Sequence, residues 1–367
     1  MKAWSAFATI LIAGIAVAQT VPVTEPPTQN PTPPRRPVSP PINAEEKAEV
    51  LESIKGVVEK RAFVPNVDFS KWSGFVEKRK DTIEKAETIS TFTTEVNRAL
   101  REFGFSHIRL QAPSRAPSSP TTAPAKPEET PAPQFAELFL QQQPTRPSIP
   151  AKLTWPEEDV ALFKLPTFST GYSRQDVEKI MADAAKSKFL ILDLRFNGGG
   201  AISNLRHLLT LMLPKATAYG SFVSRRMFDK YKEANPEGPF DVISIAKWSP
   251  DTLKTGEAKQ PVYAGKIAVL INRGSGSASE IVANALREIL NAPLVGSDSA
   301  GAVLASVFAP LKMGFRLQYP VSDYVSIKGI RLEGNPLKPD VVVTAKSSIE
   351  IPDPAVHEAI AKLKPKS

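Results

Sequence analysis

Three short segments, far apart in the chain, carry residue types that could perform nucleophilic chemistry. The first is Asn272-Arg273-Gly274-Ser275-Gly276-Ser277-Ala278-Ser279-Glu280. It lies between the apolar run Lys266–Ile271 and a helical pattern over 278–290. A serine at such a junction stands at the carboxyl end of a buried strand, where α/β sites form. The helix start supplies unpaired N–H groups and a positive dipole end, so the Ala278 N–H could stabilise an oxyanion beside Ser277. The same residues also fit a capping box, with Ser277 as N-cap and Glu280 returning the hydrogen bond. From this segment alone both readings stand.

The second segment is Asp193-Leu194-Arg195-Phe196-Asn197-Gly198-Gly199-Gly200. Three glycines after a buried strand allow positive φ and close backbone approach. The N–H of Gly198 or Gly199 could be a second oxyanion donor; a plain tight turn is the alternative. Phosphate cradling fits poorly, because the lysine of a P-loop is missing. The third segment is Glu102-Phe103-Gly104-Phe105-Ser106-His107. A serine nucleophile needs a base that titrates near neutral pH, and the chain offers three histidines: His107, His207 and His357. His207 lies within a helical pattern and His357 in a terminal helix. His107 follows a Gly-Phe-Ser break at a helix end, a better place for an active residue.

The elements around these segments read as follows. Residues 1–18 have a signal-peptide pattern: Lys2, an apolar core from Phe7 to Ile15, and Ala16-Val17-Ala18 before Gln19. That core is too short to span a bilayer comfortably. Residues 19–42 are a Pro-rich tether. A helical subdomain is expected over 43–107. Asn43 is its first N-cap, and Val50, Leu51, Ile54, Val57 and Val58 form one apolar face. Further helices are expected near 70–87 and 91–103. Residues 108–151 form a second Pro-rich stretch, an insertion or a lid, carrying the apolar hexamer Phe135–Leu140. From 152 to 350, strands alternate with helices: strands at 160–163, 189–194 and 266–271, helices at 174–186, 201–213 and 278–290. Short strands follow near 293–296, 303–310, 315–320 and 340–344. This order implies βαβ crossovers, a parallel sheet and an α/β fold. Residues 351–367 are a C-terminal helix and tail.

Composition narrows the chemistry. The chain has no cysteine, which excludes disulfides, thiolate catalysis and cysteine-ligated metals. No metal or cofactor motif stands out. The net charge of +8 comes without a basic run interleaved with aromatics, so a solvated basic surface is favoured over nucleic-acid binding. The expected partner is a protein or peptide substrate. No membrane span is expected in the mature chain, which would be periplasmic or extracellular. Its oligomeric state is not legible.

Taken together, the motifs resemble the tail-specific (C-terminal processing) and tricorn-core serine peptidase family. Gly-Ser-Gly-Ser-Ala-Ser-Glu resembles its nucleophile segment, with Ser277 as the attacking residue. Asp193 to Gly200 resembles its oxyanion turn. Gly329-Ile330-Arg331-Leu332-Glu333-Gly334-Asn335-Pro336, followed by Lys338-Pro339-Asp340-Val341, is similar to its C-terminal segment. The resemblance implies a crotonase/ClpP-like spiral of ββα units. In the Ser–Lys branch of that family a dyad lysine and a glutamine follow the serine; those positions here hold Ala302 and Ser306. The tricorn-core branch instead resembles a Ser–His–Glu arrangement with a serine beside the histidine. That resemblance implies His107 as base, Ser106 beside it, and Glu333 orienting His107 directly or through Ser106. Many members also carry a PDZ module of roughly 90 residues, an ordinary small-domain size, where this chain has its Pro-rich stretch. Selection by a PDZ groove is therefore not expected.

Two other readings use the same scaffold. A non-catalytic protein binding a peptide or lipophilic ligand is suggested by the missing lysine and by retinoid-binding relatives of the family. An acyl-CoA enzyme of the crotonase class would share the oxyanion turn, but export argues against it, since coenzyme A is cytoplasmic.

Overall fold

Asn43 starts the first helix with both halves of a capping box. Its Oδ1 accepts from Glu46 N at 2.9 Å, and Glu46 Oε2 accepts from Asn43 N at 2.8 Å. Helix α1 (Ala44–Arg61) buries Val50, Ile54, Val57 and Val58. This computed structural model describes residues 39–113, 149–259, 262–345 and 352–364. The signal pattern at 1–18, the tether as far as residue 38, and residues 114–148 of the Pro-rich stretch lie outside the described residues. The helix expected over 70–87 is divided into α2 (Trp72–Glu77) and α3 (Lys80–Glu84). The break falls at Arg79, whose backbone is non-helical (φ −117°, ψ 12°). Its guanidinium leaves the helix line to pair with Glu102 at 2.7 Å. Helix α4 (Ile89–Leu100) is capped by Thr88 and runs through a 3₁₀ turn to Gly104, whose φ of 77° ends it. The short strand β1 (Arg109–Gln111) follows at once.

The remaining elements are β2 (Lys152–Glu157), β3 (Val160–Lys164), α5 (Arg174–Ala184), β4 (Phe189–Asp193), α6 (Ile202–Thr210) and β5 (Ala218–Ser224). They continue with α7 (Arg225–Ala234), α8 (Val242–Trp248), β6 (Leu253–Lys254), β7 (Lys266–Ile271) and α9 (Ala278–Leu290). The chain ends with β8 (Leu294–Gly296), β9 (Ala305–Pro310), β10 (Arg316–Ser326), β11 (Val341–Val342) and α10 (Pro354–Leu363). They build an α/β fold with two sheets. One has the order β11-β8-β7-β4-β3-β2 and is parallel except for the β2–β3 pair. The other is antiparallel, β1-β10-β5-β6, with β9 also on β10.

Alternation along the strands explains the layers. Leu190 and Leu192 of β4, with Ile267, Val269 and Ile271 of β7, face a core shared with α5, α6 and α9. Ile191, Ala268 and Leu270 face the other way, onto Ala355, Val356 and Ala359 of α10. A strand covered on both faces reads as a continuous apolar run, which is why these two strands are visible in the sequence.

The antiparallel sheet is covered by the N-terminal helices. Val50, Ile54, Phe92, Val96 and Leu100 share a core with Ala309, Phe315, Leu317 and Tyr319. The Phe92 ring is fully buried and meets Phe315 edge-on at 6.0 Å. We expect Phe92→Ala to cost about 3–5 kcal/mol, the range for an aromatic removed from a packed core. Denaturant unfolding should show that loss in one cooperative transition, because the helices have no separate core to melt into.

Candidate active site

The Gly-rich turn after β4 is built around Asn197, a fully buried side chain. Its Nδ2 donates to Leu165 O at 2.9 Å, and its Oδ1 accepts from Gly199 N at 3.0 Å. Its carbonyl accepts from Gly276 N at 3.1 Å and from Ser279 Oγ at 2.7 Å. One asparagine therefore ties the turn after β4 to the turn after β7. Arg195 fixes the base of the same turn. It pairs with Asp193 (Nη2–Oδ2 2.8 Å) and, through two nitrogens, with Asp353 at the start of α10 (3.0 and 2.7 Å).

Gly199 has φ 95°, and a Cβ there would stand 2.7 Å from Ser277 Cβ and 2.9 Å from Ala278 N. Only glycine lets the two turns close to that distance. The expectation that Gly199 N–H is an oxyanion donor is corrected here, because that N–H is spent on Asn197. Gly198 N and Ala278 N have no hydrogen-bond partner among the described residues.

Ser277 begins α9 in a conformation rare for any side chain (φ 55°, ψ −119°). Its N–H donates to Ala302 O at 2.8 Å and to Glu280 Oε2 at 3.1 Å. The Glu280 half of the capping box is thus made. The Glu280 N–H in turn donates to the Ser277 carbonyl at 2.9 Å.

On the other side, Glu333 is 3% exposed and fully engaged. Its Oε1 accepts from Ser106 N at 2.7 Å. Its Oε2 accepts from Ser106 Oγ at 2.8 Å and from Val303 N at 2.8 Å. Ser106 Oγ also lies 2.6 Å from His107 Nδ1. A hydroxyl has one proton to give. If Ser106 gives it to the carboxylate, it must accept from Nδ1–H, which leaves the lone pair on His107 Nε2. Glu333 therefore acts on the imidazole through Ser106. His107 is itself in the left-handed region, with φ 59°.

The structure joins Ser106, His107 and Glu333 directly, across 227 residues of sequence. It joins Ser277 to them through the backbone of residues 302–304. Among the described residues no hydrogen bond links the Ser277 hydroxyl to His107. The other histidines are placed elsewhere. His207 lies between Tyr172 Oη (2.8 Å from Nδ1) and Glu178 Oε1 (3.0 Å from Nε2). His357 is exposed on α10 beside Glu358. Sequence reasoning did not single out Asn197, and it gave Glu280 only a capping part. A polar residue inside a Gly-rich turn was the available signal for the first. No group of described residues has the composition of a metal site.

An α/β sheet with a strained serine at a helix start, two unpaired N–H groups and a carboxylate–serine–histidine chain is the layout of a serine hydrolase. Residues 159–343 match peptidase family S41, and the chain belongs to that family. A carboxy-terminal-processing protease of Bartonella bacilliformis is 32% identical over 158 residues, covering 43% of this chain and 31% of that protein. The match thus spans about a third of that relative's length. Among solved structures, a lipoprotein from Streptococcus agalactiae superposes with a TM-score of 0.55 at 16% identity, covering 86% of this chain and 96% of that one. Mature CPAF gives 0.50 at 11% identity, covering 81% and 92%. These two likenesses concern the fold alone.

Burial holds the His107 imidazole below its ordinary value of 6.5, and the Glu333 charge opposes that shift. The unfolded chain therefore takes up a proton near pH 6.5 before the folded one does, so this residue's contribution to stability falls as pH drops through that region. Titration of the His107 ring followed by NMR should give a midpoint below 6.5. Glu333→Gln should lower it further, since it removes the opposing charge; a rise would contradict the assigned contact.

Proposed function

We propose that this chain is an exported serine endopeptidase that cleaves peptide bonds through an acyl-enzyme. Ser277 Oγ attacks the scissile carbonyl while His107 Nε2 takes its proton. Ala278 N and Gly198 N receive the negative charge that develops on the carbonyl oxygen. The intermediate collapses, the C–N bond breaks, and His107 returns the proton to the leaving amine. Water, deprotonated by His107, then attacks the ester and frees Ser277. Glu333, through Ser106, holds His107 in the tautomer that can accept. The substrate is a protein or peptide, and no cofactor takes part in these steps.

The observation that carries this reading is the Glu333–Ser106–His107 chain, with contacts of 2.8 and 2.6 Å. A buried carboxylate bonded through one hydroxyl to an imidazole is the support a general base requires. Membership in a peptidase family supports the same conclusion. A fluorophosphonate probe should label the wild-type protein, and Ser277→Ala should abolish labelling together with cleavage of an unstructured protein. Equal labelling of both would remove Ser277 from the role.

Export rests on the pattern at residues 1–18. No helix among the described residues is long and apolar enough to cross a membrane. Expressed in a bacterial host, the protein should be recovered outside the cytoplasm with Gln19 at its N-terminus. Recovery in the cytoplasm with Met1 retained would refute export.

A further inference from the structure

Four successive backbone N–H groups in the loop after β8 are divided between two buried carboxylates. Gly301 N and Ala302 N donate to Glu280, at 2.7 Å and 2.9 Å. Val303 N and Leu304 N donate to Glu333 Oε2, at 2.8 Å and 3.3 Å. Glu280 belongs to the first turn of the nucleophile's helix, and Glu333 serves the histidine. The loop is thus held by one carboxylate from each half of the site.

Glu280 does much more than a cap requires. It is fully buried and accepts four hydrogen bonds. Oε1 takes Ser299 Oγ at 2.5 Å and Gly301 N. Oε2 takes Ala302 N and Ser277 N. A capping box needs only the last of these, and caps sit at helix ends with access to water. Burial pushes the Glu280 carboxyl up, and the four donors oppose that shift. Removing a carboxylate from water is costly, so a site that retains one is set up to use its acceptors.

We propose that Glu280 is a positioning residue: through the 301–304 loop it sets Ser277 in register with the Ser106–His107–Glu333 chain. The inference rests on the serine-peptidase reading. The backbone of Ser277 is strained, and its N–H has two acceptors, Ala302 O and Glu280 Oε2. Ala302 O belongs to the loop, and Glu280 is bonded to it through Gly301 N and Ala302 N. Release of that N–H frees the strained Ser277 backbone, and with it the position of Oγ. Misplacement by about 1 Å is worth on the order of 100-fold in rate.

The test is Glu280→Gln. Three of the four partners of Glu280 are backbone N–H groups, so the glutamine NH₂ would face at least one donor on whichever side it lies and lose that hydrogen bond. The variant should fold, judged by circular dichroism and a cooperative melt. Its kcat on an unstructured protein and its rate of fluorophosphonate labelling should fall together by about 10- to 100-fold, with KM within about two-fold. The NMR midpoint of His107 should stay in place, because the base half is untouched. Labelling at the wild-type rate in folded Glu280→Gln, or a raised KM with unchanged kcat, would overturn the proposal. If Glu280→Gln does not fold, Ser299→Ala removes one donor and leaves the carboxylate. A labelling rate reduced about three- to ten-fold supports the proposal, and an unchanged rate overturns it. Ser277→Ala separates the two claims: labelling that persists there refutes the peptidase reading. Wild-type labelling in Glu280→Gln with Ser277→Ala silent refutes only the positioning role.

Discussion

The candidate site depends on burying two carboxylates that water does not solvate. Glu280 is inaccessible and Glu333 nearly so. An unpaired carboxylate in either place would be strongly destabilising. Each is satisfied instead by donors whose positions are fixed by the backbone, and the two share one short loop between them. Backbone donors cannot change rotamer. A carboxylate held by them is held rigidly, and it transmits that rigidity to whatever else it touches. For Glu280 this is the amide of Ser277; for Glu333 it is both the amide and the hydroxyl of Ser106.

Backbone strain is present at the same points. Ser277, His107 and Phe196 have positive φ although none is glycine, as do Asn66, Ala216, Asn291 and Met313 elsewhere in the chain. Such conformations cost on the order of 1–3 kcal/mol each and persist only when the surroundings over-determine them. Here the over-determination is visible. Ser277 N has two acceptors, and Ser106, next to His107, is held at both N and Oγ. Phe196 N donates to Asn272 Oδ1 at 3.0 Å. Asn197 and Gly199 then keep the two Gly-rich turns in contact.

The two βα turns were legible in the sequence because each follows a strand buried on both faces and precedes a helix with one apolar face. Those patterns are local. Glu333 was not legible from its own neighbours: Leu-Glu-Gly-Asn-Pro describes an exposed turn, and only the amides of Val303 and Leu304 and the side of Ser106 make the carboxylate a buried one. Family resemblance supplied what local pattern could not. His207 illustrates the same limit, since it acquires its hydroxyl and carboxylate from Tyr172 and Glu178 through tertiary contacts alone; for His107 the hydroxyl is that of its neighbour Ser106, and only the carboxylate is distant. Strand β5 gave no signal because Gly220 interrupts it. That glycine is required by the Tyr324 ring, which would lie 2.5 Å from a Cβ there. Helix α7 fully buries only Tyr231, with Met227 and Phe228 packed beside it on the same small core.

The position of Ala302 explains how such a site can operate without a lysine. Its carbonyl accepts from Ser277 N and its own N–H donates to Glu280. Residue 302 therefore lies against the nucleophile, which is where the resemblance to the Ser–Lys branch sets the dyad lysine. An alanine methyl there has no proton to exchange. The next two residues, however, give their amides to Glu333, and Glu333 holds the serine that holds His107. One loop can thus serve either kind of base: by a side chain at position 302, or by the backbone of 303 and 304 gripping a carboxylate. In this chain the loop is built into the support of Glu333.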